Sequence, residues 1–190
     1  MSSPTQPNNF SLISRLFGNL FYRSPQDPIL ANVFDWLVQQ GLTSLWGAEM
    51  DKIHKQALSS LQMPLDLTVL AQEYYKLFGT AESEAKINPR LSNYGIDVAK
   101  FIAFRQSLGL PELENADHFA LLLLTASWIE DNRDSTQAQK ELFEQFLLPC
   151  AGQFLSQVET KASLPFYRSL ALLCKDILME MSDELEESEA

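Results

Sequence analysis

Apolar residues recur every three or four positions along most of the chain, which is the spacing of one buried face of an amphipathic α-helix. The first such face ends before Pro25, because a proline disfavours helical backbone at the residue before it. Either Asn8 or Asn9 can cap this helix at its start. The apolar face consists of Phe10, Ile13, Phe17, Leu20 and Phe21.

Capping residues, glycines and prolines divide the rest of the chain into further helices. Asp27 and Pro28 match the N-cap and first position of a second helix, and Gly41 is expected as its C′ residue. Asp66 caps a fourth helix that ends at Gly79. The other predicted helices span residues 48–62, 94–108, 117–130, 135–147, 150–160 and 165 to about 180. This pattern predicts an all-α, single-domain bundle of about nine helices.

The helical domain is expected to cover residues 10–180, with a disordered N-terminus at 1–9 and an acidic tail at 181–190. Residues 79–93 contain Pro89 and little periodicity, so they form a possible hinge. The most apolar segment, residues 119–129, is too short to cross a bilayer and is expected to be a central core helix. The polar N-terminus has no signal-peptide pattern, and we expect the protein in the cytoplasm.

Acidic residues outnumber basic ones by 25 to 14, and the formal net charge is −11. Nucleic-acid affinity comes largely from Lys and Arg side chains that displace counterions from phosphates, so a nucleic-acid partner is excluded. Anionic membrane surfaces are disfavoured for the same reason, and no membrane insertion is expected. A basic partner would be attracted.

The chain shows no arrangement of residues that is typical of catalysis. His54 and His118 are far apart and lack the spacing of a metal site, so no metal is expected. Cys150 and Cys174 form no CxxC pair and are interpreted as buried packing residues. Neither GxSxG nor a glycine-rich phosphate loop is present. We therefore expect a binding protein without a cofactor, and not an enzyme.

One polar pair, Asp117 and His118, precedes the most apolar helix. In one interpretation Asp117 caps that helix and His118 lies in its first turn. In the other, a short polar loop beside an apolar bundle binds a peptide that has one charged and one apolar part. The local sequence leaves both interpretations open.

The segment Asn115-Ala116-Asp117-His118, followed by a helix that ends in Ala126-Ser127-Trp128, resembles the "xxDH" signature of the TorD/DmsD/NarJ family of redox-enzyme maturation chaperones. Other segments resemble further motifs of that family in the same order, and the resemblance covers about residues 10–180. It is closest to the YcdY-like branch. These further segments are residues 20–25, 73–78, 144–149 and 165–168.

The resemblance implies an all-helical, TorD-like, cytoplasmic chaperone without catalytic activity. Such a protein binds the leader peptide or the body of a redox enzyme or other metalloenzyme and assists its cofactor or metal loading. The client would be a molybdoenzyme with a twin-arginine (Tat) leader or, by similarity to the YcdY-like branch, a metal-dependent hydrolase. The candidate client-binding residues are Asp117, His118, Asn115, Tyr22 and Phe78.

Two other functions remain open at this stage. The chain is alternatively a nucleotide-binding enzyme, since GTP binding has been proposed in the family, or a plain helical scaffold that mediates oligomerisation. The expected state is a monomer or a dimer that exchanges helices across the loop at residues 80–93.

Overall fold

The computed structural model of the chain describes residues 8–46, 50–79, 86–133 and 136–188. Within these ranges the structure is helical and contains no β-strand, which confirms the all-α prediction. Two short 3₁₀ turns, Pro28–Leu30 and Leu91–Tyr94, and one π-helical turn, Phe143–Leu147, join the α-helices. The α-helices are α1 (Asn9–Tyr22), α2 (Ala31–Val38), α3 (Gly41–Trp46), α4 (Lys52–Gln62), α5 (Leu67–Phe78), α6 (Val98–Ser107), α7 (Ala120–Asn132), α8 (Gln137–Leu142), α9 (Leu148–Lys161) and α10 (Pro165–Glu187).

Helix α7 lies at the centre of the bundle, and α1 packs along it more extensively than any other described pair of helices. Three of the α1 residues that contact α7 are small, namely Ser11, Ser14 and Gly18. The Ser14 hydroxyl donates a hydrogen bond to the Leu123 carbonyl at 2.6 Å. A Cβ atom at Gly18 would lie 2.8 Å from Leu124 Cδ2, closer than van der Waals contact permits. Small side chains therefore bring the two helix backbones close together.

Helix α10 is the longest described helix, and it packs against α4 and α9. It continues through Glu187, where the charge pattern predicted a solvated tail from residue 181. Met181 and Leu185 are buried because they extend the apolar stripe of Ile177 by one and two turns. Residues 181–187 thus belong to the bundle. None of the described helices is both long enough and apolar enough to cross a membrane.

The two predicted flexible segments are only partly described. Residues 1–7 lie outside the described residues, and Asn8 accepts a hydrogen bond from the Ser11 N–H as the N-cap of α1. Residues 80–85 also lie outside the described residues. Beyond them, Ile87 and Leu91 are fully buried, and the Ile87 N–H donates to the Leu77 carbonyl at 2.8 Å. The hinge at 79–93 stays a prediction.

The prediction that Gly41 closes the second helix as its C′ residue is wrong. Gln40 has the positive φ angle of 65°, and Gly41 begins α3. Glycine is required at position 41 because the Trp36 ring lies directly against its backbone, and a Cβ atom at this position would overlap the ring.

The predicted break between two helices before Pro149 does not occur. Helix α8, the π-helical turn and α9 follow one another without interruption from Gln137 to Lys161. Pro149 lacks the N–H that an α-helix would use for a hydrogen bond to the residue four positions earlier. The π-helical turn before it changes the hydrogen-bond spacing, since the Leu148 N–H donates to the Phe143 carbonyl five residues earlier. The helix can therefore continue through Pro149.

Candidate functional site

Four of the five predicted client-binding residues lie together where α1 ends and α7 begins. Tyr22 is the last residue of α1, and residues 115–118 lead into α7. The Tyr22 and His118 rings meet edge to face, with centroids 5.1 Å apart and planes at 80°. Tyr22 is 39% exposed, so the pair is accessible at the surface. We call Tyr22, Asn115, Asp117 and His118 the Tyr22–His118 patch.

Asp117 does not cap α7, which corrects one of the two interpretations of this residue. Its carboxylate accepts hydrogen bonds from the Ser92 N–H at 2.9 Å and from the Ser92 hydroxyl at 2.6 Å. The Asn115 side-chain oxygen accepts from the Asp117 N–H at 3.0 Å. Asp117 therefore holds the connector that precedes α7 against the 3₁₀ turn Leu91–Tyr94.

His118 performs the capping that was expected of Asp117. Its Nδ1 accepts a hydrogen bond from the Ala120 N–H at 3.0 Å. This acceptor role requires a neutral imidazole with its proton on Nε2. Burial lowers the pKa of His118 to about 4, and the nearby Asp117 carboxylate opposes this only in part. The patch therefore presents a neutral histidine beside a carboxylate at physiological pH.

Phe78, the fifth predicted residue, does not line the exposed patch. It is buried in an aromatic cluster, where its ring is stacked at 6.1 Å on that of Phe154. Phe154 is in turn stacked at 4.3 Å on Phe119, the residue after His118. Phe78 thus supports the patch from beneath. The other members of the cluster that contact Phe78 are Phe21, Tyr74 and Tyr167.

Further side chains extend the patch along the surface. The Arg23 guanidinium lies over the Tyr22 ring at 5.6 Å and forms an ion pair with Asp27 at 3.4 Å. Tyr75 is also exposed, and its ring lies 5.8 Å from that of Tyr74. The Tyr74 hydroxyl donates to the Phe21 carbonyl at 3.2 Å, which joins α5 to this end of α1. Exposed tyrosine rings beside a guanidinium and a carboxylate are suited to bind a peptide that has both polar and apolar side chains.

The histidine and cysteine side chains that lie outside the patch stabilise the bundle. His54 links the start of α4 to α10, with its Nδ1 2.6 Å from Asp51 Oδ1 and its Nε2 3.3 Å from Asp176 Oδ1. Cys150 is buried, and burial raises the pKa of its thiol to about 12, which makes it a poor nucleophile. In the described part of the chain, no three His, Cys, Asp or Glu side chains cluster as metal ligands would.

The sequence interpretation missed a groove at the opposite end of α1. Its volume is about 280 Å³, and α1, α3, α7 and α10 line it. Three carboxylates, Glu130, Glu180 and Glu184, stand around an apolar floor. The four-residue spacing of Glu180 and Glu184 on one helix face was the available signal. The predicted boundary between the helical domain and the acidic tail, at residue 180, separates these two glutamates.

Curated relatives match almost the whole chain. An uncharacterized protein of Haemophilus influenzae is 60% identical over 185 residues, which are 97% of this chain and 99% of that protein. The chaperone protein YcdY of Escherichia coli is 38% identical, over 95% of this chain and 97% of its own length. The probable Tat proofreading chaperone DmsD of Haemophilus influenzae is 27% identical, over 92% and 91%. No known family profile matches the chain.

The all-α bundle and the chaperone relatives together place the chain in the class of maturation chaperones. The chain belongs to the TorD/DmsD family of redox-enzyme maturation chaperones, in its YcdY-like branch. This confirms the family that the sequence motifs indicated. The named relatives are chaperones and not enzymes, which supports the expectation that the chain is not an enzyme.

Proposed function

We propose that this protein is a cytoplasmic chaperone that binds the leader peptide or body of a redox or metalloenzyme through the Tyr22–His118 patch and assists its cofactor or metal loading. The observation that carries the proposal is the patch itself. A neutral His118, an exposed Tyr22 ring and the Asp117 carboxylate are brought together from separate parts of a chaperone-family chain.

The chemistry of the patch suits a segment with one charged and one apolar part. The Tyr22 ring offers apolar area and a hydroxyl, while Asp117 offers negative charge at the same turn. The hydrogen bonds from Ser92 and the aromatic cluster under Phe119 hold these groups in place, so little ordering is needed when a client binds. Both a molybdoenzyme with a Tat leader and a metal-dependent hydrolase are clients compatible with this chemistry.

Affinity capture from the protein's own cells tests the proposal. The tagged wild-type chain is compared with a Tyr22→Ser/His118→Asn variant, in which the introduced asparagine retains an acceptor for the Ala120 N–H. We expect a metalloenzyme that is enriched by the wild type and at least about fivefold less by the variant, since loss of a Tyr anchor costs about 1 kcal/mol or more. Capture of no metalloenzyme, or equal capture by both chains, would contradict the proposal.

A further inference from the structure

Met179 has the most exposed large apolar side chain in the described part of the chain, at 67%. It lies on the side of α10 that faces away from the core. A single exposed apolar residue is ordinary on a protein surface, but Met179 belongs to a row of residues with helical spacing. We call this row the α10 face, and it consists of Arg168, Leu172, Lys175, Asp176, Met179 and Asp183.

The order of charged and apolar residues along the α10 face is self-complementary. Its outer members, Arg168 and Asp183, carry opposite charges and are both exposed. Its inner members, Leu172 and Met179, are apolar and are spaced equally about the same midpoint. When two identical helices pair antiparallel about a twofold axis, residues that are equally far from the axis on opposite sides meet. This pairing of α10 with a second copy places Arg168 against Asp183 and Leu172 against Met179.

The midpoint lies between Lys175 and Asp176, which also carry opposite charges. Each is already held within its own chain. Lys175 Nζ lies 3.0 Å from Glu159 Oε1, and His54 Nε2 lies 3.3 Å from Asp176 Oδ1. Side chains that are held in this way lose little conformational freedom when the surface around them is buried. Every charged residue of the α10 face therefore meets the opposite charge in a second copy, although the net charge of −11 makes two copies repel in other orientations.

The shape of the α10 face is self-complementary as well. A shallow hollow of about 320 Å³ lies over the first half of α10. Its apolar lining comes from Leu172 and Pro165 of α10 and from Ile53 and Ala57 of α4. The twofold pairing inserts the exposed Met179 side chain of each copy into the hollow of the other. A methionine is suited to this position because its flexible thioether adapts to an irregular hollow.

The size of the α10 face predicts a weak and reversible association. Helix α10 has 23 residues, which corresponds to about 35 Å. A contact of that length and one to two helices in width buries about 500 to 700 Å² per copy, which is at the lower end for specific complexes. We therefore expect a dissociation constant of about 10 to 100 µM.

We infer that the α10 face binds a second copy of this chain in an antiparallel, twofold-symmetric dimer, in which Met179 of each copy lies beside Leu172 of the other. The inference does not depend on the proposed function, because no residue of the α10 face belongs to the Tyr22–His118 patch. Both chains keep their own helices in this dimer, so it differs from a dimer that exchanges helices across residues 80–93.

Sedimentation velocity of the purified chain between about 1 and 300 µM measures the association, and the wild type should pass from monomer to dimer in this range. Met179→Ser should weaken the dimer at least about tenfold, because the apolar side chain is lost from both symmetric contacts. Ile29→Ser is the matched control. It removes an apolar side chain that is 61% exposed and lies outside the α10 face, so it should leave the association unchanged.

Charge reversal tests the antiparallel pairing itself. Arg168→Glu and Asp183→Lys each set like charges against one another at both ends of the dimer, and each should weaken it at least about tenfold. An equal mixture of the two variants should regain nearly the wild-type affinity, because one chain then supplies carboxylates at both outer positions and the other supplies cations. Asp35→Lys makes the same charge change as Asp183→Lys at an exposed position of α2, and it should not weaken the dimer.

Thermal unfolding checks that Arg168→Glu still folds, since the Arg168 guanidinium also donates to the Ala162 carbonyl at 2.9 Å. If this variant unfolds, Met179→Ser and Asp183→Lys decide the inference, because both residues are exposed.

A wild-type chain that remains monomeric at every concentration would overturn the inference. A dimer that is unaffected by Met179→Ser and Asp183→Lys would also overturn it, since another surface or an exchange of helices would then hold the two copies together. If the two charge-reversal variants fold and their mixture does not regain affinity, the antiparallel pairing is wrong. None of these outcomes bears on client capture through the Tyr22–His118 patch.

Discussion

The Tyr22 and His118 rings meet edge to face at a centroid distance of 5.1 Å, which joins the end of α1 to the turn that starts α7. His118 at the same time caps α7 by accepting from the Ala120 N–H. The His118 side chain thus takes part both in the packing of α1 against the start of α7 and in the surface that is proposed to bind the client. Protonation of His118 must break this cap, because a protonated Nδ1 cannot accept a hydrogen bond.

The first prediction concerns stability against pH. The pKa of His118 is about 4 in the folded chain and near 6.5 in the unfolded chain, so the unfolded state binds the extra proton between these values. The His118 contribution to the free energy of unfolding is therefore fully present above pH 6.5. It is lost as pH falls toward 4, by about 1 kcal/mol per pH unit. Urea unfolding at several pH values measures it.

His118→Asn is the matched control for the pH experiment. The asparagine oxygen can accept from the Ala120 N–H but does not titrate in this range. Between pH 7 and 4.5 the wild type should lose about 2 to 3 kcal/mol more than the variant. Parallel pH profiles for the two chains would show that His118 is not held neutral by its surroundings.

Asp117→Ala is predicted to lower the free energy of unfolding by about 2 kcal/mol and to retain the helical circular dichroism. The substitution removes the acceptor of two hydrogen bonds from Ser92, and bonds to a charged acceptor are stronger than those between neutral groups. Ser92→Ala removes one of these bonds and keeps the carboxylate. If the carboxylate contacts the client, Ser92→Ala reduces stability and retains client binding, whereas Asp117→Ala reduces both.

Two glycine substitutions should have opposite signs. A Cβ atom at Gly18 would lie 2.9 Å from Leu124 Cγ and 3.2 Å from the Ala120 carbonyl oxygen, so Gly18→Ala should destabilise the chain by about 1 to 2 kcal/mol. At Gly152, an exposed position in α9, a Cβ atom meets no atom within 4 Å. Gly152→Ala should stabilise by about 0.5 to 1 kcal/mol through helix propensity. Thermal unfolding compares them, and a stabilising Gly18→Ala would mean that α1 and α7 are less closely packed.

The two cysteines should be unreactive toward a thiol reagent in the folded chain. Both are buried, and burial raises the pKa of the Cys150 thiol to about 12 and that of Cys174 further still. Labelling with a chromogenic disulfide should therefore proceed only at the rate of unfolding, and both thiols should react at once in denaturant. Rapid labelling of either thiol in the native chain would contradict this burial.

The helical fold was predictable because apolar spacing and capping residues are local signals. Asn8, Asp27 and Asp66 accept hydrogen bonds from backbone N–H groups as their positions before helices predicted. These errors fell where a specific side-chain contact, which the apolar spacing does not encode, determines the local structure. Gly41 is required by the ring of Trp36, and Asp117 is held by Ser92, 25 residues earlier in the chain.

The candidate site was predictable only in part, for the same reason. A family signature indicated Asp117 and His118, and the structure brings Tyr22 to them. The helical spacing of Phe78 with Leu70 and Tyr74 indicates the buried face of α5, and the family signature outweighed that indication; Phe78 lies beneath the patch. The acidic groove was missed because it forms only when α7 and α10 place Glu130 beside Glu180 and Glu184.

The cofactor or metal content of the captured client tests the central claim most directly. The client is purified from cells that contain the wild-type chain, the Tyr22→Ser/His118→Asn variant or no chain, and its bound metal is measured by mass spectrometry. The proposed function predicts a loaded fraction that is high with the wild type and severalfold lower in the other two. Equal loading in all three kinds of cells would contradict it.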